Sequence, residues 1–486
     1  MIEKQYKGKA VRPDLKRLFS PKSIAHVGAS AKRSPGRFNF ILYLQNMGYE
    51  GKLYPVNPNY DEVYGLKCYP ALAEVPGEVD MAILALPAPR CAEILRDVPA
   101  GKLGFVVVHT SGFSEIDKGG LEDELLELGR EKGFRIIGPN CMGVFCQESR
   151  VCFWDDQKEL KDRPGWVGYV SQSGGLSIHV ISGCIDIGVG VNKAVSLGNQ
   201  IDISINELLE YMADAPGIKV IAVYVEDIKD GRGFVELLKK ITRKKPVLVW
   251  KGGLTEVGSA AAMTHTGSMA GNADIFRAAM RQAGAIMIDD LEQMMRALRL
   301  LEPPFSLPGR RLGIICPGGG NTVSISDAFS SQPDLAVPRL TIESRDKLQA
   351  LLPEENVDTK NPVDPGAVGM TRLDRIIRIV GEDPGIDSIL LMLTDEILFH
   401  FENEDARKMV AEMITSMIAG AARNIGKPLF THMMHVRDNN EVFHCRSLLI
   451  DKLMEKNVPW SDGSFRESAQ VFSKLAGYYK YLKETG

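Results

Sequence analysis

One local pattern occurs three times in this chain: an apolar run, a turn rich in glycine and serine, and then a helical segment. The copies occupy residues 23–30, 166–175 and 312–321. Each is followed by further apolar runs of strand length that alternate with helical segments, an order typical of parallel α/β sheets. We therefore expect three doubly wound α/β units in the 486 residues, a length that by itself suggests about three domains.

Two stretches between these units have the composition of linkers. Residues 147–164 are strongly charged and end at a Pro-Gly pair, and residues 301–309 hold three prolines. Both features favour a chain boundary over regular structure. The predicted domains are residues 1–150, 151–303 and 304–486.

Composition argues against several classes of protein. With 25% charged residues and a net charge of −4, the chain gives no electrostatic reason to expect nucleic acid or a membrane as partner. No apolar run reaches the roughly 18–20 residues of a membrane helix, and residues 1–17 lack the apolar core of a signal peptide. The eight cysteines form no C-x-x-C pair, so we expect free thiols in a reducing cytoplasm.

His265 stands out within residues 263–271, where it is surrounded by small residues. Apolar residues at helical spacing follow at positions 275–283. This order predicts a histidine at the start of a helix, where free N–H groups and the helix dipole favour anions. A histidine there is suited to carrying a phosphoryl group; a capped loop with an incidental histidine is the alternative.

A second anion site is expected in the same unit. Ser171 and Ser173 lie in a glycine-containing turn that precedes a helical pattern, so hydroxyls and bare N–H groups form a cradle. Glu226 ends a nearby strand and could orient the imidazole of His265 by accepting its other N–H. A carboxylate that simply faces water is the alternative for Glu226. Residues 198–202 end another strand and line the same opening.

In the first unit, turns follow most of the predicted strands, and ligands bind at that edge of a doubly wound sheet. The first turn is not a clean G-x-G-x-x-G, and Asn57 stands where an acidic residue would hold the ribose of NAD. A nucleotide with an additional phosphate fits better, with Lys32 and Arg33 as phosphate partners. A plain turn with solvated basic residues is the alternative.

In the third unit, the turn-rich loop at residues 361–366 is expected at the sheet edge. His432 and His435 are three apart in a predicted strand, so they face opposite sides and do not form a metal pair. We expect no metal site in this chain.

Six short motifs occur in order at residues 28–30, 54–58, 111–113, 138–143, 171–174 and 259–268. In this order the motifs resemble the α chain of nucleoside-diphosphate-forming (ADP-forming) acyl-CoA synthetases, relatives of succinyl-CoA synthetase. The resemblance covers the chain from about residue 15 to the C-terminus. It implies a Rossmann-like CoA-binding domain followed by two flavodoxin-like domains, of which the first carries a phosphohistidine and the second is a ligase-associated domain at the subunit contact.

The same resemblance implies site residues. His265 would take the phosphoryl group, Glu226 would steady it, and Asn140 and Cys141 would lie where the CoA sulfur meets the acyl group. The implied phosphate-binding residues are Ser171, Ser173, Gly174, Thr266 and Gly267. The implied CoA-binding residues are Gly28, Ser30, Arg33, Ser34, Pro35, Gly36, Val56, Asn57, Leu86, Pro87, Thr110, Ser111 and Gly112.

The family reaction is acyl-CoA + ADP + phosphate ⇌ acid + CoA + ATP, with ADP and Mg²⁺ held by an ATP-grasp domain. The three units use up this chain and leave no ATP-grasp candidate. The resemblance therefore implies a separate ATP-grasp β chain in an α2β2-type hetero-oligomer, with CoA and phosphate as ligands of this chain. The loop at residues 361–365 follows the family only up to Asp364.

Two other functions remain open. One is a CoA-binding regulatory or carrier protein without ligase activity, which the intact His265 and Glu226 disfavour. The other is a nucleotide-linked dehydrogenase, which the missing ribose carboxylate and the two further units disfavour. Acetyl, branched, aryl and dicarboxylic acyl groups, ADP or GDP, and either physiological direction are all compatible with the sequence.

Overall fold

The computed structural model describes residues 13–32, 38–114, 119–266, 272–303, 309–352, 358–394, 396–434 and 439–485, with the backbone alone at residues 262–266 and 367–368. These residues form two compact units, Met1–Asp289 and Asp290–Gly486. The first unit contains two α/β sheets and the second contains one, so the predicted α/β class with three sheets is confirmed.

The first part of unit one consists of α1 (Leu15–Phe19), β1 (Ser23–Val27), α2 (Phe40–Met47), β2 (Lys52–Val56), β3 (Glu62–Val63), β4 (Leu66–Lys67), β5 (Val79–Leu84), α3 (Ala88–Arg96), β6 (Leu103–Val108), α4 (Gly119–Lys132), β7 (Arg135–Ile137) and β8 (Gly143–Cys146). The strand order in the first sheet is β2-β1-β5-β6-β7, and all neighbours are parallel. The order reverses beside β1. The turns after β1 and β5 therefore border the crevice in which such sheets bind ligands.

The second part of unit one consists of β9 (Val167–Ser171), α5 (Gly174–Asp186), β10 (Val191–Ser196), α6 (Ile205–Asp214), β11 (Val220–Val225), α7 (Gly231–Ile241), β12 (Val247–Lys251), α8 (Glu256–Thr266), α9 (Ala273–Gln282) and β13 (Ile286–Ile288). Its sheet has the order β13-β12-β11-β9-β10-β8. All pairs are parallel except β8 with β10, which is antiparallel. The order reverses beside β9, which places the crevice between β9 and β11.

The apolar character of the central strands explains this architecture. β6 reads LGFVVV and β11 reads VIAVYV, and all six residues of each are buried. Such near-continuous apolar runs are typical of parallel strands that are covered on both faces. The helices that connect them supply the cover.

Residues 147–164, predicted to be a linker, are packed. A 3₁₀ helix at Asp155–Leu160 contacts α2 and α5. Phe153 and Leu160 are 1% and 0% exposed. The segment does separate β8 from β9, as a boundary should. The expectation that it lacks regular structure was wrong, because charged residues dominate its composition while the few apolar residues decide its packing.

Unit two consists of α10 (Leu291–Leu300), β14 (Leu312–Ile315), α11 (Gly319–Ser330), α12 (Ile342–Leu351), α13 (Gly366–Gly369), α14 (Leu373–Glu382), β15 (Ser388–Thr394), α15 (Glu396–Phe399), α16 (Glu404–Asn424), β16 (Leu429–Met434), α17 (Asn440–Glu455), β17 (Trp460–Gly463) and α18 (Phe465–Thr485). The parallel sheet has the order β14-β15-β16-β17. Ile315 pairs with β15 on one side and bridges to Val363 on the other. The loop around residue 363 therefore lies at this sheet's edge, as predicted.

Two general expectations can be compared with the described residues. All eight cysteines are free thiols, which confirms that prediction. Across the described ranges, no helix combines the length and the apolar character needed to cross a bilayer.

Candidate functional site

The turn after β9 is shaped by its two serines. Ser171 Oγ donates to the carbonyl of Ser173 at 2.9 Å and accepts from the N–H of Ser173 at 3.1 Å. Ser173 caps α5 by accepting from the N–H of Leu176 at 3.3 Å. A side-chain acceptor of this kind satisfies only part of the first helical turn. The turn therefore leads into the start of α5, where N–H donors favour anions, and its role as an anion cradle stays a prediction.

Gln172, between these serines, ties the turn to the end of β11. Its Nε2 donates to the carbonyl of Asp227 at 2.7 Å. Its Oε1 accepts from the N–H of Asp227 at 2.9 Å and from the N–H of Glu226. Gln172 is 8% exposed, so this buried amide positions the strand end that carries Glu226. Sequence reasoning missed it, although a glutamine between two turn serines is a visible signal.

Glu226 is half-buried at the carboxyl end of β11, as predicted. Its Oε1 accepts from the hydroxyl of Tyr224 at 3.0 Å. Burial, and then the nearby Glu226 charge, raise the pKa of Tyr224, so this hydroxyl stays protonated as a donor. Lys251 Nζ donates to the Glu226 carbonyl at 2.8 Å. A Cβ at Gly252 would lie 2.6 Å from the Tyr224 hydroxyl, so only glycine leaves room for this arrangement.

His265 does not lie at the start of a helix, and that part of the prediction was wrong. It is the penultimate residue of α8. Alanine has the highest helix propensity of all residue types, and this helix contains three in a row at residues 260–262. Thr255 Oγ1 caps the start of the helix by accepting from the N–H of Gly258 at 3.0 Å. The next helix, α9, begins at Ala273.

The side chains of His265 and Thr266 are not among the described parts of the structure, and Gly267 lies outside the described residues. Their phosphoryl roles stay predictions.

Residues 140–142 join the two sheets of unit one. Asn140 has a positive φ of 58°, and its N–H donates to the carbonyl of Thr110 at 2.9 Å. The N–H of Met142 donates to Ser196 Oγ at 3.0 Å. A Cβ at Gly198 would lie 2.0 Å from the carbonyl oxygen of Pro139. The carboxyl ends of β6, β7 and β10 therefore meet at this turn. The turn also lies next to the serine turn at residues 171–174, because a Cβ at Gly174 would lie 3.2 Å from Met142 Cγ.

Cys141 enters this turn with its thiol turned inward. The residue is 2% exposed, and Sγ donates to the carbonyl of Val108 at 3.4 Å. Burial raises the pKa of the thiol, so the thiolate is disfavoured. The buried thiol is therefore unsuited to chemistry in this arrangement, and the expected place of Cys141 beside the CoA sulfur stays a prediction. The carbonyl of Cys141 accepts from His109 Nδ1 at 2.8 Å.

The turn after β1 requires glycine. Gly28 has a φ of +92°, and a Cβ there would lie 2.5 Å from the carbonyl oxygen of Ala85 and 3.2 Å from Leu86 Cδ2. Its N–H donates to the carbonyl of Val56 at 2.9 Å. Three adjacent strand ends thus bring together four of the predicted CoA-binding positions: Gly28, Val56, Leu86 and Pro87. Pro87 is also the N-cap of α3.

Polar side chains extend the same edge. Asn57 Nδ2 donates to the carbonyl of Ala29 at 2.8 Å, and Ser30 Oγ lies 3.2 Å from the hydroxyl of Tyr60. The three residues Thr110, Ser111 and Gly112 follow β6 at this edge, with a φ of +99° at Gly112. Arg33, Ser34, Pro35 and Gly36 lie outside the described residues.

In unit two, Asn361 and Asp364 hold the loop to the sheet. Asn361 Nδ2 donates to the carbonyl of Leu312 at 2.9 Å, and Asp364 Oδ1 accepts from the N–H of Gly318 at 3.1 Å. His432 is buried in β16, with its Nδ1 within 3.0 Å of Ser468 Oγ, and His435 lies outside the described residues. The described ranges contain no group of three potential metal ligands.

Two family models match the chain: a CoA binding domain over residues 22–147 and a succinyl-CoA ligase like flavodoxin domain over residues 164–301. The subunit alpha of ADP-forming acetate–CoA ligase I from Pyrococcus furiosus is 32% identical over 96% of this chain and 98% of its own length. The subunit alpha of ligase II from the same organism is 35% identical over 77% and 81%. A solved structure, acetyl-coenzyme A synthetase 1 of Ca. Korarchaeum cryptofilum in complex with phosphate and ADP, matches with a TM-score of 0.81 at 28% identity, covering 97% of this chain and 98% of that one.

Proposed function

Because the chain belongs to the family of ADP-forming acid–CoA ligases, we propose that it is the α subunit that performs acyl transfer and phosphoryl capture. The reaction is acyl-CoA + ADP + phosphate ⇌ acid + CoA + ATP. The observation that carries this proposal is the meeting of three strand ends in unit one. The serine turn, Glu226 and the turn at residues 140–142 lie around one crevice. Gln172 ties the serine turn to residues 226–227, and Ser196 holds the turn at residues 140–142.

CoA binds along the carboxyl edge of the first sheet in this proposal. The turns after β1 and β5 border the crevice in which such sheets bind ligands, and the match of residues 22–147 to a CoA binding domain supports CoA as the ligand. Asn57, Ser30 and Thr110 supply polar groups. The thioester then reaches the turn that contains Asn140 and Cys141.

The chemistry proceeds in two covalent exchanges. Phosphate attacks the thioester carbonyl, the C–S bond breaks, and CoA leaves as the thiol with an acyl phosphate as the other product. A ring nitrogen of His265 then attacks phosphorus, the P–O bond to the acyl group breaks, and the acid leaves as its carboxylate. Splitting the exchange in this way is the use of a nucleophilic side chain, and preorganised N–H donors at the serine turn stabilise the phosphoryl charge.

Glu226 orients the imidazole of His265 by accepting the N–H of the ring nitrogen that does not attack phosphorus. The hydrogen bond from Tyr224 restricts the carboxylate, and a fixed acceptor determines which ring nitrogen is left free to attack. Thr266 and Gly267 complete the phosphate site.

The domains proposed are residues 1–150 for CoA, 151–303 for phosphoryl capture and 304–486 for contact with the partner. One α/β sheet in each segment supports this division, although β8, within the first segment, pairs with the second sheet.

The final phosphoryl acceptor, Mg²⁺-bound ADP, is proposed to lie on a separate ATP-grasp β chain in an α2β2-type assembly. Relatives that this chain matches over most of their length carry the name subunit alpha, which supports a second kind of subunit. We place the enzyme in the cytoplasm, and the eight free thiols support a reducing compartment.

The test is incorporation of radioactive phosphate into the purified chain, with acyl-CoA and with a candidate ATP-grasp chain. We expect acid-labile, base-stable label on His265. His265→Asn should abolish labelling and ATP formation while keeping CoA binding, and His400→Asn, an exposed histidine in unit two, should change neither. Full acyl-CoA-dependent ATP formation by His265→Asn would refute the nucleophile, and binding of CoA without any label would favour a CoA-binding regulator.

A further inference from the structure

Four half-buried rings form a continuous surface beside the carboxyl edge of the first sheet. Phe38, before α2, lies 4.3 Å from His109 and 5.6 Å from Trp154, measured between ring centroids. Tyr43 in α2 lies 6.2 Å from Trp154. These separations are those of edge-to-face and tilted aromatic contacts. We call Phe38, Tyr43, His109 and Trp154 the aromatic wall.

Buried, uncharged rings support the wall from behind. Phe40 is 0% exposed and lies 5.2 Å from His109 and 5.2 Å from His26. Burial, and then the neighbouring His109, lower the pKa of His26 to about 3, and burial also lowers the pKa of His109. Both imidazoles are therefore neutral near pH 7, and no member of the wall carries a positive charge.

His109 connects this wall to the turn at residues 140–142. A neutral imidazole has one ring proton, and the contact with the Cys141 carbonyl places it on Nδ1. The wall therefore adjoins residues 140–142 on one side, while Met142 approaches Gly174 of the serine turn on the other. Residues 140–142 thus lie between the wall and the serine turn at residues 171–174.

We propose that the aromatic wall binds the acyl group and that the preferred acids carry an aromatic ring. This inference rests on the proposed function and adds the substrate class. A bound ring can pack against Phe38 and Trp154 in edge-to-face or offset geometry, and it buries more apolar surface there than a methyl group does. A second carboxylate finds no cation on the wall, so dicarboxylic acids are disfavoured.

The test is titration of the purified chain with CoA, acetyl-CoA and phenylacetyl-CoA, with binding measured by calorimetry and by tryptophan fluorescence. We expect phenylacetyl-CoA to bind about tenfold more tightly than acetyl-CoA, as one stacked ring contributes, and to quench Trp154. Trp154→Leu and Phe38→Leu should each remove most of this preference, measured as the ratio of the two acyl-CoA affinities, while the affinity for CoA itself stays within about twofold. Phe443→Leu, at an exposed ring in unit two, is the matched control and should keep the preference.

The outcomes separate the two proposals. Equal affinity for acetyl-CoA and phenylacetyl-CoA, with CoA still bound, overturns the acyl-binding wall alone. Loss of CoA affinity in both wall variants, with native circular dichroism, also overturns it, because the rings would then hold the CoA arm. Failure of the wild-type chain to bind any of the three ligands refutes the proposed function itself.

Discussion

Replacing Gln172 tests whether one buried amide holds the crevice together. Gln172→Met keeps the side-chain length and removes three hydrogen bonds that join the serine turn to residues 226–227. Each such bond contributes about 1 kcal/mol net, and a group left buried without a partner costs about 1–3 kcal/mol. We therefore expect a loss of about 3 kcal/mol in the free energy of unfolding of unit one.

That loss converts to a measurable shift in Tm. Unit one spans Met1–Asp289, and an unfolding entropy of about 2.1 cal/mol/K per residue gives roughly 0.6 kcal/mol/K, hence a decrease of about 5 °C by scanning calorimetry. Gln45→Met, which removes one exposed hydrogen bond of 3.2 Å to Tyr64, is the matched control and should shift Tm by less than about 1 °C. An equally small shift for Gln172→Met would refute the reasoning, and a large shift should also lower the yield of phosphohistidine because Glu226 loses its support.

Three further changes test other parts of the site. Gly28→Ala should weaken CoA binding at least about tenfold by calorimetry, because its Cβ meets a backbone carbonyl at 2.5 Å; Gly48→Ala, with a φ of +84° and open space, has only the backbone cost of about 1–2 kcal/mol and should bind CoA normally. The pKa of buried His26 is about 3 in the folded protein and about 6.5 in the unfolded chain. Between these values the unfolded state binds one more proton, so the free energy of unfolding should fall by about 1.4 kcal/mol per pH unit as the pH decreases from 6 to 4. His26→Phe should lack this increment of slope and His179→Phe, at an exposed position, should retain it; equal slopes would contradict a neutral buried His26. Glu226→Gln should reduce the rate of phosphohistidine formation about tenfold or more, and an unchanged rate would remove Glu226 from the site.

Much of the architecture was readable from apolar patterning. The six-residue runs of β6 and β11 predicted buried parallel strands, since only a sheet covered on both faces accommodates such runs. The positions of Gly28, Ser171 and Glu226 followed, because residues just after parallel strands gather at one edge. Composition misled at residues 147–164, where Phe153 and Leu160 anchor a segment that reads as charged.

Local sequence failed at His265 for a related reason. The small residues around it suggested a loop before a helix, whereas the alanine run upstream extends α8 to Thr266. Helix propensity accumulates over a whole segment, so the boundary was set by residues that the short motif did not include.

The sequence alone determined the three-sheet plan, the family and the order of candidate ligand turns, because each depends on residues close together in the chain. Only the tertiary structure decided which side chains cooperate. Gln172 reaches residues about 55 positions away, Cys141 turns its thiol into the core, and Phe38, His109 and Trp154 come together from three separate segments. These contacts depend on strand order and on the packing of α2 and the 3₁₀ helix, which no local pattern encodes.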